Sequence, residues 1–156
     1  MTPHADIDEA GGVPVRRCPE CGAPLGGHER CEELFHDALA MEWTDPPATY
    51  EAHHLLVATY MLQHPSRYTP EGQAAFRSTV IEIVDEHASA PALRERRRGV
   101  FDQSKRDWKL TRKQPDAPVL NEWGMTIADV LDGPPDELPQ RVWRWGETVR
   151  EQLREE

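Results

Sequence analysis

The sequence predicts an all-α protein, a compact five- or six-helix array behind an N-terminal loop, and three observations carry that prediction. From Cys31 onward apolar residues recur at three- and four-residue steps, no segment alternates as a half-buried strand would, and the breaks fall at cap-plus-proline starts. A chain of 156 residues with 38% apolar content fits one domain with its own core. We read residues 1–17 as a flexible lead-in, because Pro3, Gly11, Gly12 and Pro14 interrupt them without an apolar period, and residues 18–156 as the single folded domain.

The elements follow in order. A first helix over 31–43 is expected from Leu34, Phe35, Ala38 and Leu39, with Glu32 and Glu33 at its positive end. Asp45 and Pro46 supply a cap and a first helical position for a second helix over 48–64, which Pro65 stops. Thr69-Pro70-Glu71 opens a third to about His87, with Phe76, Val80, Ile83 and Val84 on one face. A fourth is expected over 89–106 and an irregular loop over 107–125, which holds Pro115, Pro118 and Gly124. Thr126 with Asp129 resembles a capping box for a short helix to Leu131, and a last helix over 136–154 carries the stripe Leu138, Val142, Trp145, Val149 and Leu153. The five tryptophans are expected as core and loop anchors.

The loop before the first helix carries the chemistry. Cys18-Pro19-Glu20-Cys21-Gly22 places two thiols three residues apart, where the turn aims both sulfurs inward and glycine lets the backbone curl to give N–H groups to sulfur. Cys31 is the only other thiol, and an odd set within fourteen residues suits a metal site better than a secreted disulfide framework. Zn2+ takes such thiolates in tetrahedral sites completed by Cys or His, so this loop reads as a zinc knuckle. The alternatives are two inert cysteines or a thioredoxin-like pair, which belongs at a helix start after a strand that is not visible here.

The fourth ligand is sought among His28, His36, His53, His54 and His64. A short connection makes the first two helices antiparallel, and at 1.5 Å per residue Cys31 then lies across from residues 60–64. That favours His64, with His28 as the alternative because CxxC-x6-H-x2-C closes a compact local site, and water as a third occupant. His53 lies roughly 16 Å from His64 along one face, so the two cannot share a metal. His53 should face the first helix near Glu42, and Glu42, His53 and Tyr60 are a candidate second polar site, an acid–base group in one reading and a hydrogen-bonded core histidine in the other.

Together these residues resemble an uncharacterised bacterial family classed only as a domain of unknown function. The resemblance rests on CPxCG, on the segment Cys31-Glu32-Glu33-Leu34-Phe35, on His53-His54-Leu55-Leu56-Val57-Ala58-Thr59-Tyr60-Met61-Leu62-Gln63-His64-Pro65, and on a second signature, Trp123-Gly124-Met125-Thr126-Ile127-Ala128-Asp129-Val130. It covers residues 18–153 and implies motif positions at Cys18, Cys21, Cys31, His53, Tyr60, Gln63, His64 and Pro65. His28 is not among them, which favours His64. The resemblance implies no activity.

Charge is uneven. The chain carries −10, which argues against general nucleic-acid binding and against anionic membranes. Residues 94–113 hold nine basic and three acidic side chains, a local +6 that leaves −16 elsewhere. Arg96, Arg97, Arg98, Lys105, Arg106 and Lys109 are the candidate anion-binding residues, for an anionic ligand or an acidic protein surface, against the plainer reading of a solvated helix. The acidic start resembles no secretory signal and no apolar run spans a bilayer, so a cytoplasmic protein is expected. Three functions compete: a small zinc-stabilised binding or regulatory module with a structural site of three cysteines and one histidine, a zinc enzyme with an open metal position near His53, Glu42 and Tyr60, and a thiol redox or metal sensor. The absence of an HExxH-type motif makes the enzyme the weaker of the first two.

Overall fold

A computed structural model describes residues 15–43, 50–96 and 122–155. The described residues form six helices: α1 (Cys31–Glu42), α2 (Tyr50–Leu62), α3 (Pro70–Glu86), α4 (Ala90–Arg96), α5 (Ile127–Leu131) and α6 (Leu138–Arg154). Short 3-10 turns at Pro65–Arg67 and Pro135–Glu137 precede α3 and α6, and Arg17 and Pro24 form an isolated antiparallel bridge. The fold is therefore all-α, as the periodicity predicts. The lead-in before residue 15, the Asp45 cap, and the expected helix and loop over 97–121 lie outside the described residues.

Local chemistry accounts for the helix starts. The Thr69 hydroxyl accepts the Gly72 N–H at 3.2 Å, with Pro70 leading α3. At α5 the Thr126 N–H donates to Asp129 Oδ2 at 2.8 Å, so the shorter acid fills the role of the usual Glu or Gln. Glu33 reaches back from α1 to accept the N–H groups of Glu29 and Arg30 at 2.8 and 3.0 Å. Each bond satisfies a donor that the helix start leaves without an intrahelical partner.

α2 sits at the centre, with Leu55 and Leu56 fully buried, and packs chiefly on α3 and α6. All five stripe residues of α6 are buried. Gly146 sits where that stripe crosses α2: a Cβ there would stand 2.7 Å from Leu55 Cδ2, so the missing side chain sets the approach of the two helices. α1 leans mainly on α5, and α5 is anchored in turn by the buried Arg141, whose Nε donates to the Val130 carbonyl at 2.6 Å and whose guanidinium also donates to the Pro134 carbonyl at 2.9 Å. A cation at a helix C-terminus answers both the orphan carbonyls and the negative end of the dipole. Arg150 clasps Asp85 through two nitrogens, joining α6 to α3.

The tryptophans divide. Trp145 is fully buried and donates to the Met125 carbonyl at 3.2 Å, whereas Trp43 is 81% exposed at the end of α1 and is not the core anchor expected of it. Position 43 lies just past the last buried residue of α1, Glu42, so the inward stripe has already turned away. Among the described residues no helix is long and apolar enough to cross a membrane.

Candidate metal centre

Three separate segments deliver the donor atoms. In the loop, the Cys18 N–H donates to the Ala23 carbonyl and the Gly22 N–H to the Cys18 carbonyl, both at 2.9 Å, closing a tight turn. Gly22 has φ +82°, a conformation that costs other residues about 1–2 kcal/mol, which is why glycine follows the second cysteine. The curl aims the Ala23 N–H at Cys21 Sγ, 3.4 Å away. Cys31 opens α1, and His64 stands two residues past the end of α2.

His64 is oriented from behind. Its Nδ1 lies 2.6 Å from the Tyr60 carbonyl oxygen, an acceptor only, so Nδ1 carries a proton and Nε2 is the nitrogen that faces the sulfurs. The ring is also clamped in a stack, with Tyr60 at 4.0 Å from it and Phe35 at 4.1 Å from Tyr60. The loop is latched to the same end of α2, because Glu20 Oε1 accepts the Ser66 N–H at 3.0 Å.

The ligand atoms of Cys18, Cys21, Cys31 and His64 all lie within 4.8 Å of one another, and all four residues are buried. Cys21 Sγ to Cys31 Sγ is 3.7 Å, and Cys18 Sγ to His64 Nε2 is 3.5 Å. A zinc tetrahedron with its usual bond lengths has edges of ~3.8 Å between sulfurs and ~3.6 Å between sulfur and nitrogen. The donor set therefore fits zinc in chemistry and in size. His28 is elsewhere, 3.2 Å from Asp37, and His36 stands exposed beside Glu32.

Crowded donors also disturb one another's protons. Hydrogen bonds from Cys21 and Cys31 hold the Cys18 thiol well below its ordinary value, while the same contacts seen from Cys31, with burial, push Cys31 far up. Burial pulls His64 down, but hydrogen bonds to Cys18 and Cys21 prevail and raise it to about 10. A buried group of three sulfurs and an imidazole thus competes for protons, and a divalent cation is what relieves the competition. Three thiolates around such a cation leave one net negative charge. A cleft of about 720 Å³ opens onto Cys18, Cys31 and His64, and its walls hold Arg16, Arg17, Arg30 and Arg67 against Glu20, Glu29 and Glu32, with Arg30 and Arg67 both on Glu32.

With that geometry in view, the chain can be placed. It belongs to a family of unknown function (DUF5946). The family model matches residues 16–154, from just before the knuckle to the end of α6. No curated protein and no solved structure matches the chain.

The structure joins the two signature segments of this chain. Gln63 Nε2 donates to the Met125 carbonyl at 2.9 Å, and Trp145 donates to the same oxygen, so the segment before Pro65 is pinned to the segment after Trp123. Sequence reasoning marked Gln63 only through the resemblance. Its spacing from His64 gave no sign of this bond, because the partner is 62 residues away.

The expected second polar site divides. Glu42 Oε2 and His53 Nδ1 lie 2.7 Å apart, as the antiparallel register requires. Glu42 is buried while 45% of the His53 side chain is exposed, and the hydrogen bond to Glu42 raises the His53 pKa against the pull of burial. Tyr60 is not with them. It lies two turns on, ~10 Å along α2, stacked on His64. A shared helix face fixes direction and not height, and the two groups belong to opposite ends. Of the candidate anion-binding residues, Arg96 ion-pairs with Glu82 and Glu86 at 3.5 and 3.2 Å. Arg97, Arg98, Lys105, Arg106 and Lys109 lie outside the described residues.

Proposed function

We propose that the protein is a zinc-stabilised helical module in which Cys18, Cys21, Cys31 and His64 hold one structural zinc ion, and that its role is binding or regulation. The observation that carries this reading is the pair of donor separations, 3.7 Å between sulfurs and 3.5 Å between sulfur and nitrogen, on the edges of a zinc tetrahedron. Its support includes the Nδ1-protonated His64, whose remaining nitrogen is the one a metal would take. Bound there, the ion would tie the loop before α1 to the end of α2 and contribute folding free energy. Three reduced thiols suit a reducing compartment, so we place the protein in the cytoplasm.

Four protein donors close the coordination sphere, which is the pattern of structural rather than catalytic zinc. Of the proton-transfer groups the enzyme reading needs, Glu42 and His53 stand three turns away, and Tyr60, which does stack on His64, has its hydroxyl pKa pushed up by burial. The basic sequence 94–113 is the stretch we propose for an acidic partner or an anionic ligand.

The test is elemental analysis with X-ray absorption at the zinc edge. We expect one zinc per chain, with three sulfurs at ~2.3 Å and one nitrogen at ~2.0 Å. A zinc-free protein with an undiminished melting temperature, or a first shell containing exchangeable oxygen, ends the structural-site proposal.

A further inference from the structure

We infer that Cys31 is a modification site for peroxides and that Cys21 resolves the product, so that oxidation through the cleft releases the metal. This rests on the zinc reading above and adds to it an order of reactivity among the three sulfurs.

The cleft gives the first argument. Its floor includes Cys18 and Cys31 but not Cys21, so a small solute entering it meets two of the three sulfurs. Donors to sulfur give the second. Cys21 accepts the Ala23 N–H and Cys18 the Cys21 N–H, whereas among the described residues no backbone N–H donates to Cys31 Sγ. A backbone N–H donor spreads thiolate charge and lowers its nucleophilicity, so the sulfur without one is the better attacker. The walls give the third: Arg16, Arg17, Arg30 and Arg67 line the cleft against Glu20, Glu29 and Glu32, with Arg30 and Arg67 sharing Glu32 at 3.7 and 3.4 Å, which leaves a small excess of positive charge where hydroxide departs. Geometry gives the resolving partner, since Cys21 Sγ is 3.7 Å from Cys31 Sγ.

The chemistry closes with hydrogen peroxide as the only co-reactant. The Cys31 thiolate attacks one peroxide oxygen, the O–O bond breaks, and hydroxide leaves and takes a proton from solvent, giving a sulfenic acid and water. The Cys21 thiolate then attacks Cys31 Sγ, the S–S bond forms, the S–O bond breaks, and a second hydroxide leaves. Two electrons pass from the two sulfurs to the peroxide oxygens. The zinc loses two of its four ligands in one event.

The experiment uses the full chain loaded with zinc, its metal content established beforehand by elemental analysis. A zinc-free result at that stage counts against the zinc site and not against the order of oxidation. Stoichiometric hydrogen peroxide is then added, released zinc is followed with a chromogenic chelator, and the unreduced protein is mapped by mass spectrometry. Cleavage after Arg17, Glu20 and Arg30 puts the three cysteines on three peptides. We expect about one zinc released per peroxide consumed, a Cys21–Cys31 disulfide, and recovery of zinc binding on thiol reduction. A dimedone trap present during oxidation should mark Cys31 ahead of Cys18 and Cys21. A Cys18–Cys21 disulfide, equal trapping at all three sulfurs, or zinc retained with the sulfurs unmodified at ten-fold peroxide excess overturns the proposal.

Discussion

The two ends of the α1–α2 pair are built on the same register and hold different chemistry. Cys31 faces His64 at one end and Glu42 faces His53 at the other, eleven residues further along each helix, about three turns. At the first end the imidazole is buried, a proton is directed backward to a carbonyl, and its other nitrogen meets thiols. At the second the imidazole is half exposed and its proton-bearing edge meets a carboxylate. On the reading proposed above, one end is completed by a cation and the other by a proton. Burial decides which, because only a fully enclosed donor set makes an unmetallated state costly.

The largest expected difference between the ends comes from removing the metal. Chelation, or Cys21→Ser, should lower stability by roughly 3–5 kcal/mol or more, about 10 °C or more in melting temperature for a chain of this size, followed by circular dichroism. His64→Cys sharpens the point, since a set of four cysteines still suits zinc: it should keep one zinc per chain where His64→Ala loses it. Equal zinc content in the two variants would mean that position 64 is not a ligand.

Next in size is the link that holds the metal end to the rest of the fold. Gln63→Leu removes one donor to the Met125 carbonyl, which keeps Trp145, and should cost about 0.5–1.5 kcal/mol in chemical denaturation, with zinc content unchanged. Breaking the second end should matter less. Glu42→Gln keeps a hydrogen bond but removes the charge, and because nearly half of the His53 side chain is solvated we expect about 1 kcal/mol or less, again with full zinc content.

The smallest effect is a dependence on pH that runs in opposite directions at the two ends. Glu42 raises the His53 pKa, so the folded chain holds that proton more tightly. The stabilisation from this pair is complete below the ordinary imidazole value of about 6.5 and is lost as pH rises through the raised one. The metal end behaves in reverse: protons compete with zinc for its ligands, so zinc affinity falls as pH falls. Melting temperatures of the zinc-loaded protein and of Glu42→Gln should therefore converge as pH rises from 6 to 9. A gap that widens with pH would refute the ion pair.

Much of this was legible without coordinates, for identifiable reasons. The helical stripes of α3 and α6 are intrinsic to their own segments, and so is the Thr126–Asp129 start. The Glu42–His53 contact followed from counting residues back from one turn, since a rigid 1.5 Å rise converts sequence distance into height. Tyr60 shows where that reasoning stops. It shares a face with His53, yet its neighbours are Phe35 and His64, because ring stacking depends on which side chain stands at the same height on the facing helix.

What the sequence by itself determined is the three thiols and the register that brings a histidine level with them. Three thiols and a histidine are chemically marked, and two antiparallel helices of fixed rise bring Cys31 level with residue 64. Only the tertiary structure decided which histidine closes the set, turning His28 toward Asp37 and His64 toward Cys18. It alone placed Gln63 on Met125, Arg141 on Val130, Leu55 over Gly146, and a cleft above the sulfurs. The physical reason is range. Periodicity and capping are properties of a few consecutive residues, whereas these contacts join positions far apart in the chain, and their partners are set by how the helices pack.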